Sequence, residues 1–279
     1  MKQNLKFYLK NTLNEKEIQL MPTSFDVIGS IMIFAEFPKE LVKKEKLIGN
    51  GILEHYKHIK TVLKKTRKFS GKYRTPKYMI IAGEKTKETT YKENNVFIKL
   101  DVEKVYFSPR LSGERMRIAK LVKENENVLV MFSGSAIYPL VIAKNSNPKI
   151  IYGIEINPTA HKYALENLKL NKAIADKIKL IKGDVKKIMP KLNEKFDRII
   201  MPLPKNADNF LDLALKSIKK GGFIHLYHFI DWNEIEKIKG IAEKEFKKSK
   251  RKYKIMSIVK CGQYGPNIYR VCVDFKVSW

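Results

Sequence analysis

The sequence predicts an α/β protein: a Rossmann-like, doubly wound parallel sheet preceded by a smaller α+β domain. Three observations predict it. From about Ser112 onward, apolar runs of strand length alternate with amphipathic helical stretches, the pattern of parallel strands joined by crossover helices. Before that point the strand-like segments follow one another more directly, with a single long helical stretch among them. The composition, 44% hydrophobic and 10% aromatic over 279 residues, is that of a folded chain able to bury two cores. The expected boundaries are an N-terminal arm over 1–20, an α+β domain over 21–111 and the doubly wound domain over 112–279.

In the first part IMIFAEF reads as strand, KELVKKEKLIGNGILEHY as helix and KTVLKKTRKFSGKYR as a basic strand-like piece. YMIIAG and VFIKLDV follow as strands, separated by the polar GEKTKETTYKENN, a hairpin or loop. In the second part ERMRIAKLV is helix, NVLVMF strand, IYPLVIAKN helix and KIIYGIEI strand. TAHKYALENLKLN (helix), KIKLIKGD (strand), FDRIIMPLP (strand and loop), NFLDLALKSIKK (helix) and GGFIHLYHF (strand) continue the alternation. The closing IYRVCVDFKV alternates as a late strand paired in a hairpin.

Charge narrows the class of partner. Lys and Arg number 56 against 29 Asp and Glu, a net charge of +27, which points to a polyanion such as nucleic acid. No apolar run approaches the ~18 residues of a membrane span. MKQNLKFYLK carries charge throughout and no signal-peptide core. A cytoplasmic protein is therefore expected. Cys261 and Cys272 are too few for a disulfide scaffold or a cysteine zinc site. His225 and His228, three apart in a strand, point to opposite faces, so no metal is expected.

Ligands of doubly wound sheets sit outside the carboxyl ends of the strands. VLVMFSGSAIYPL runs from a buried strand into a small-residue turn, Ser133, Gly134, Ser135 and Ala136. It lacks the glycines of a diphosphate loop. Glu155 ends the second strand 21 residues after Gly134, the place of an acid that accepts hydrogen bonds from a ribose diol. Asp184 ends the third strand, where an acid can hold an adenine amino group. An adenosine-type ligand without a phosphate loop suggests S-adenosylmethionine, and the spacing is that of a class I methyltransferase.

The run from GKYRTPKYMIIAG to FSPRLSGERMRIAKLV, together with IEINP, GDV, MPLPK and CGQYGPNIYRVCVDFKV, resembles the archaeal tRNA (guanine-37-N1)-methyltransferases. The resemblance runs from about Met21 to Val277. MPLPK, where many relatives carry an asparagine before Leu-Pro, looks like the subgroup tied to wyosine biosynthesis. The resemblance implies methyl transfer from S-adenosylmethionine to N1 of guanosine 37 in the tRNA anticodon loop, to C7 of 4-demethylwyosine, or to both. It places Arg74 on the arginine that stabilises charge on guanine O6 and Glu114 on the general base. Arg115, Phe132, Gly134, Glu155, Ile156, Asp184 and Val185 fall on cofactor contacts. Pro202 and Pro204 fall on the loop shaping the base pocket, where they are expected to build a rigid apolar wall. On their own, Glu114 reads equally as a glutamate favoured by a helix N-terminus, and Arg74 as a phosphate contact.

Two departures carry expectations. The family's small extra N-terminal domain, which reads the outer corner of tRNA, is expected to be absent. Relatives usually carry glycine at the position of Ala136, so cofactor affinity is expected to fall without being lost. The cationic runs Lys57–Lys68 and Glu243–Lys254, with Tyr73 and Tyr253 nearby, give expected RNA contacts at Lys64, Lys65, Arg67, Lys68, Lys248 and Arg251, joined by Arg110 and Lys205. The base itself must be splayed from its stack. A monomer acting on the tRNA anticodon stem-loop is the reading that results. Transfer of an aminocarboxypropyl group to 4-demethylwyosine, and catalytically idle tRNA binding, are the alternatives.

Overall fold

The computed structural model describes residues 5–10, 12–22, 24–205 and 207–279. They fall into two units, Met1–Lys92 with Phe97–Pro109, and Glu93–Val96 with Arg110–Trp279.

The first unit opens with two short helices, α1 (Leu5–Tyr8) and α2 (Glu15–Leu20). A capping box starts α2: Asn14 Oδ1 accepts from the Glu17 N–H, and Glu17 Oε2 accepts from the Asn14 N–H. Strand β1 (Asp26–Ile28) pairs antiparallel with β2 (Ile31–Phe34). Helix α3 (Glu45–His55) then crosses to β3 (Thr61–Ser70), parallel to β2, and β4 (Thr75–Gly83) returns antiparallel. The β1–β2 turn requires glycine, because Gly29 has φ +55° and a Cβ there would stand 2.2 Å from Thr89 Oγ1. Ile48 and Ile52, four apart on α3, enter the same core as Met32, Phe34 and Val62.

Leu5, Leu9 and Leu13 are buried in that core too. The separate arm expected over 1–20 therefore does not describe these residues. Their apolar side chains recur every fourth position, and the polar residues and lysines around them mask the pattern. Strands β5 (Glu88–Glu93) and β6 (Val96–Asp101) form a two-stranded ribbon, so of the hairpin or loop expected over GEKTKETTYKENN the structure has the hairpin, with β5 as its first strand and the expected VFIKLDV strand as its second. It turns through Asn94 and Asn95, both left-handed (φ 45° and 64°), as a two-residue hairpin demands.

The second unit is a seven-stranded sheet. Its elements are α4 (Ser112–Leu121), β7 (Asn127–Met131), α5 (Ile137–Asn145), β8 (Ile150–Glu155), α6 (Pro158–Leu170), β9 (Ile178–Lys182) and α7 (Val185–Ile188). β10 (Phe196–Met201), α8 (Leu211–Ser217), β11 (Ile218–Asp231), α9 (Glu236–Lys248), β12 (Lys252–Gln263) and β13 (Ile268–Ser278) complete it. The strand order is β12-β13-β11-β10-β7-β8-β9. The five strands from β9 to β11 are parallel, and β13 inserts antiparallel between β11 and β12. Buried apolar residues of β7, β10, β11 and β13 pack with Leu211, Ala214, Leu215 and Phe246 from the helices. The helix read over NFLDLALKSIKK stops at Ser217, and Ile218 already pairs with Phe196 in the sheet. The run Glu243–Lys254 divides between the end of α9 and the start of β12.

Two predictions follow from the first unit's packing. Leu9 is fully buried and its Cδ2 lies 3.0 Å from the Cβ position of Gly51. Leu9→Ala is expected to cost about 2–4 kcal/mol in urea unfolding, and wild-type stability in this variant would refute the packing of the N-terminal segment. Glu103 accepts from Lys87 Nζ (2.6 Å), the Tyr78 N–H (2.8 Å) and Lys77 Nζ (3.1 Å). Burial raises its carboxyl, but these donors outweigh burial and bring it to about 2, against 4.5 for the free group. Its contribution to stability is thus complete above 4.5 and fades as pH falls towards 2. Glu103→Gln should flatten the stability–pH curve across that interval, and an unchanged slope would show that the carboxylate does not act this way.

Candidate active site

In the parallel sheet the direction of progression reverses between β7 and β10, the switch point at which such folds hold ligands. The chain leaves β7 through a turn in which Phe132, Gly134 and Ala136 all have positive φ (61°, 58° and 67°). Glu155, the last residue of β8, faces this turn. Its Oε2 accepts from the Gly134 N–H at 2.7 Å and its Oε1 from the Asn157 N–H at 2.7 Å. Burial pushes its carboxyl up, and the N–H groups of Asn157, Gly134 and Ile156 oppose that. Two bonded oxygens still leave lone pairs for a diol. Asn157 caps α6 by accepting from the Thr159 N–H at 3.0 Å. Ser133 and Ser135 hold buried hydroxyls without a partner among the described residues. Unsatisfied donors beside a carboxylate, with no phosphate-cradling loop, fit an uncharged nucleoside moiety.

The other strand ends lie as the sequence implies. Asp184 caps α7 by accepting from the Lys186 N–H, and Val185 behind it is buried. Phe132 packs edge-on against Phe210, ring centroids 5.0 Å apart. In the loop after β10, the Leu203 N–H donates to the Met201 carbonyl across Pro202 at 2.8 Å, a tight three-residue turn. The Pro204 carbonyl accepts from the Phe229 N–H at 3.1 Å, which ties this loop to β11.

Glu114 is buried in the first turn of α4. Its Oε1 accepts from Tyr227 Oη (2.6 Å) and Arg117 Nη2 (2.8 Å), and its Oε2 from Arg117 Nε (2.7 Å). Tyr138 Oη donates to Tyr227 Oη at 3.1 Å. Arg117 also reaches Asp274 through Nη1 at 2.6 Å. Asp274 accepts further from His225 Nδ1 (2.6 Å) and Ser257 Oγ (2.6 Å). Burial raises the Asp274 carboxyl, but His225, Arg117 and Ser257 outweigh it and hold it well below the carboxylate range. Burial lowers the His225 imidazole despite the neighbouring carboxylate. The next residue on α4, Arg115, forms a bidentate pair with Glu93 at the end of β5, at 2.5 and 2.6 Å, both side chains 2% exposed.

Arg74 sits in the β3–β4 turn with φ 52°, its N–H donating to the Gly71 carbonyl at 3.1 Å. It belongs to the first unit and Glu114 to the second. Of the expected RNA contacts, Lys64 is ion-paired with Glu45, and Lys65 lies over the Phe69 ring. Arg67, Lys68, Arg110, Lys205 and Lys248 are exposed, and Arg251 stacks on Trp279 at 3.5 Å. Sequence reasoning missed Arg117, Tyr138, Tyr227, Asp274 and Glu93. The one signal was Asp274 itself, a charge inside the apolar run VCVDFKV. His225, Cys272 and Asp274 bring possible metal donors within 4.8 Å of one another. These donors are engaged with one another, and with Arg117 and Arg198, whose guanidiniums would repel a dication.

Sheet order, the acid at the tip of β8 and the turn it closes define a class I methyltransferase domain. The sequence matches the TRM5/TYW2 methyltransferase domain over residues 89–257 and the TYW2 N-terminal domain over 5–86. The chain belongs to the TRM5/TYW2 methyltransferase family. It is 41% identical over 267 residues to the tRNA (guanine(37)-N(1))-methyltransferase Trm5b of Pyrococcus abyssi, covering 94% of this chain and 77% of that protein. It is 37% identical to the tRNA (guanine(37)-N(1))/4-demethylwyosine(37)-methyltransferase Taw22 of Nanoarchaeum equitans, covering 90% and 98%. The crystal structure of P. horikoshii TYW2 in complex with MeSAdo superimposes with a TM-score of 0.83 at 26% identity, covering 100% and 99%.

Ala136 occupies a backbone conformation that disfavours any Cβ, since its φ is 67°. Ala136→Gly is therefore expected to raise stability by about 0.5–1 kcal/mol, measured by chemical denaturation. Loss of stability in this variant would show that the turn does not carry that strain.

Proposed function

We propose that the chain transfers the methyl group of S-adenosylmethionine to N1 of guanosine 37 in the anticodon loop of tRNA, with C7 of 4-demethylwyosine as a second acceptor to be tested. The observation that carries this reading is Glu155 at the tip of β8, bonded to the Gly134 backbone, with the Ser133 and Ser135 hydroxyls on either side of that glycine unpartnered among the described residues. Glu155 is the group to hold the ribose diol, Asp184 the adenine amino group and the turn at 132–136 the remainder. When bound, the cofactor supplies the methyl group as an electrophile on its sulfonium sulfur.

Guanine N1 carries a proton, and its in-plane lone pair must be freed for attack. Glu114 is the base that takes this proton. Both lone pairs of Oε1 are used by Tyr227 and Arg117, so the proton goes to Oε2. Negative charge developing on O6 is assigned to Arg74. Lys68, Arg67, Lys248 and Arg251 supply phosphate contacts, which makes binding steeply salt-dependent. Pro202 and Pro204 form a wall without N–H donors, suited to a flat purine or tricycle. The reading needs no metal and takes the enzyme as a cytoplasmic monomer. Among the described residues no helix is long and apolar enough to cross a membrane.

The test uses S-adenosylmethionine labelled separately in the methyl and carboxyl groups. It is incubated with tRNA-Phe transcript and with tRNA carrying 4-demethylwyosine, and the nucleosides are resolved by mass spectrometry. Methyl label in 1-methylguanosine is expected, and label on the tricycle as well makes the enzyme bifunctional. Carboxyl label in the product would establish aminocarboxypropyl transfer instead. Tight tRNA binding with no label would establish an idle binder. Glu114→Ala and Arg74→Ala should each lower the single-turnover rate by about 10²-fold.

A further inference from the structure

The buried charges behind Glu114 form a continuous chain. From Glu114 it passes through Arg117 to Asp274, then through His225 to Arg198, and ends at Glu126. Arg198 bonds Glu126 with two nitrogens, at 2.7 and 3.0 Å, and donates from Nη2 to the Leu121 carbonyl at the end of α4 at 2.6 Å. A guanidinium always carries its protons. Its contact with His225 Nε2, 2.7 Å from Nη1, therefore makes Nε2 an acceptor and leaves the ring proton on Nδ1, which donates to Asp274. Protonating His225 would turn an N–H toward a guanidinium, so the ring stays neutral. Arg117 is then the cation that balances Asp274 on the Glu114 side.

Other titratable groups face Glu114 from each element around it: Tyr138 on α5, Tyr227 on β11, Cys261 on β12, and Cys272 and Asp274 on β13. Burial raises both tyrosines and both thiols, so they remain neutral. Arg115 directs its fork to Glu93. Arg117 is the cation hydrogen-bonded to both Glu114 oxygens.

We propose that Arg117 is a positioning residue for Glu114: it fixes the carboxylate's orientation and places a positive charge against both of its oxygens, while Asp274 anchors Arg117 from behind. The inference rests on Glu114 as the base. It adds that the base's geometry and electrostatic surroundings are set by a residue that does not itself take the proton. A planar fork suits the task, because it meets two oxygens of one carboxylate and a second carboxylate at once.

The experiment measures single-turnover methyl transfer to tRNA transcript against pH for wild type, Arg117→Gln, Arg117→Lys and Glu114→Gln, with saturating cofactor and tRNA. Arg117→Gln is expected to lose about 10²-fold in rate and to move the acid limb of the profile up by about one pH unit or more, because the carboxylate has lost its cation. Arg117→Lys keeps the charge and should leave the limb in place, with about a tenfold loss from the missing fork. An unmoved limb in Arg117→Gln overturns the proposal, whatever its rate. If Arg117→Gln does not fold, judged by its thermal transition, Arg117→Lys decides: a wild-type rate overturns the proposal. Wild-type activity in Glu114→Gln would instead remove Glu114 as the base, a separate failure.

Discussion

A carboxylate in the interior of a sheet costs several kcal/mol unless donors meet it where it stands, and Asp274 on β13 is in that position. The strand is buried on both faces, with Val271, Val273 and Phe275 on one side and Cys272 with Asp274 on the other. The donors come from four elements: Arg117 of α4, His225 of β11, Ser257 of β12 and the Cys272 thiol of β13 itself. His225 in turn meets Arg198 of β10, which holds Glu126 ahead of β7. One desolvated charge thereby specifies how the helix carrying Glu114 lies on the strands beneath it.

Apolar residues of similar volume could fill such a space at no loss of stability. What they could not do is fix direction. Hydrogen bonds to a carboxylate are shortest and strongest along its lone pairs, so the Glu114–Arg117–Asp274 arrangement admits little rotation of any member. Geometry of this kind serves a proton transfer, whose rate depends on heavy-atom reach.

The sheet was legible because strands covered on both faces carry runs of apolar residues, as in VLVM, IIYGI and IIM. The turn after β7 and the acid that closes it were legible for a local reason: Gly134 and Glu155 sit at adjacent strand ends, and their separation in sequence is set by one crossover helix. Other features left no local trace. Leu5, Leu9 and Leu13 look polar in context because each is set among polar and charged residues. Strand β12 hides behind the lysines of the preceding helix, since its exposed edge tolerates Lys252, Lys254 and Lys260. Arg117 and Asp274 lie 157 residues apart, and only the folded sheet brings them together. Arg115 shows the converse: its place in the motif pointed to the cofactor, and the structure aims its fork at Glu93.

These last residues explain how α4 holds Glu114 in place with little apolar packing. Its buried apolar side chains are Ile118 and Ala119, a narrow anchor for a ten-residue helix. Glu114 and Arg117, three apart, share one face and turn toward Tyr227 and Asp274. Arg115, one residue on from Glu114, points elsewhere and grips the ribbon at Glu93. The first turn of α4 is therefore held from two directions by charge-assisted bonds. Buried ion pairs resist displacement more than they add stability, since pulling one partner away leaves the other desolvated and unmatched. That asymmetry suits a helix that presents the proposed base: any movement of Glu114 exposes the uncompensated charge of Arg117, Asp274 or both.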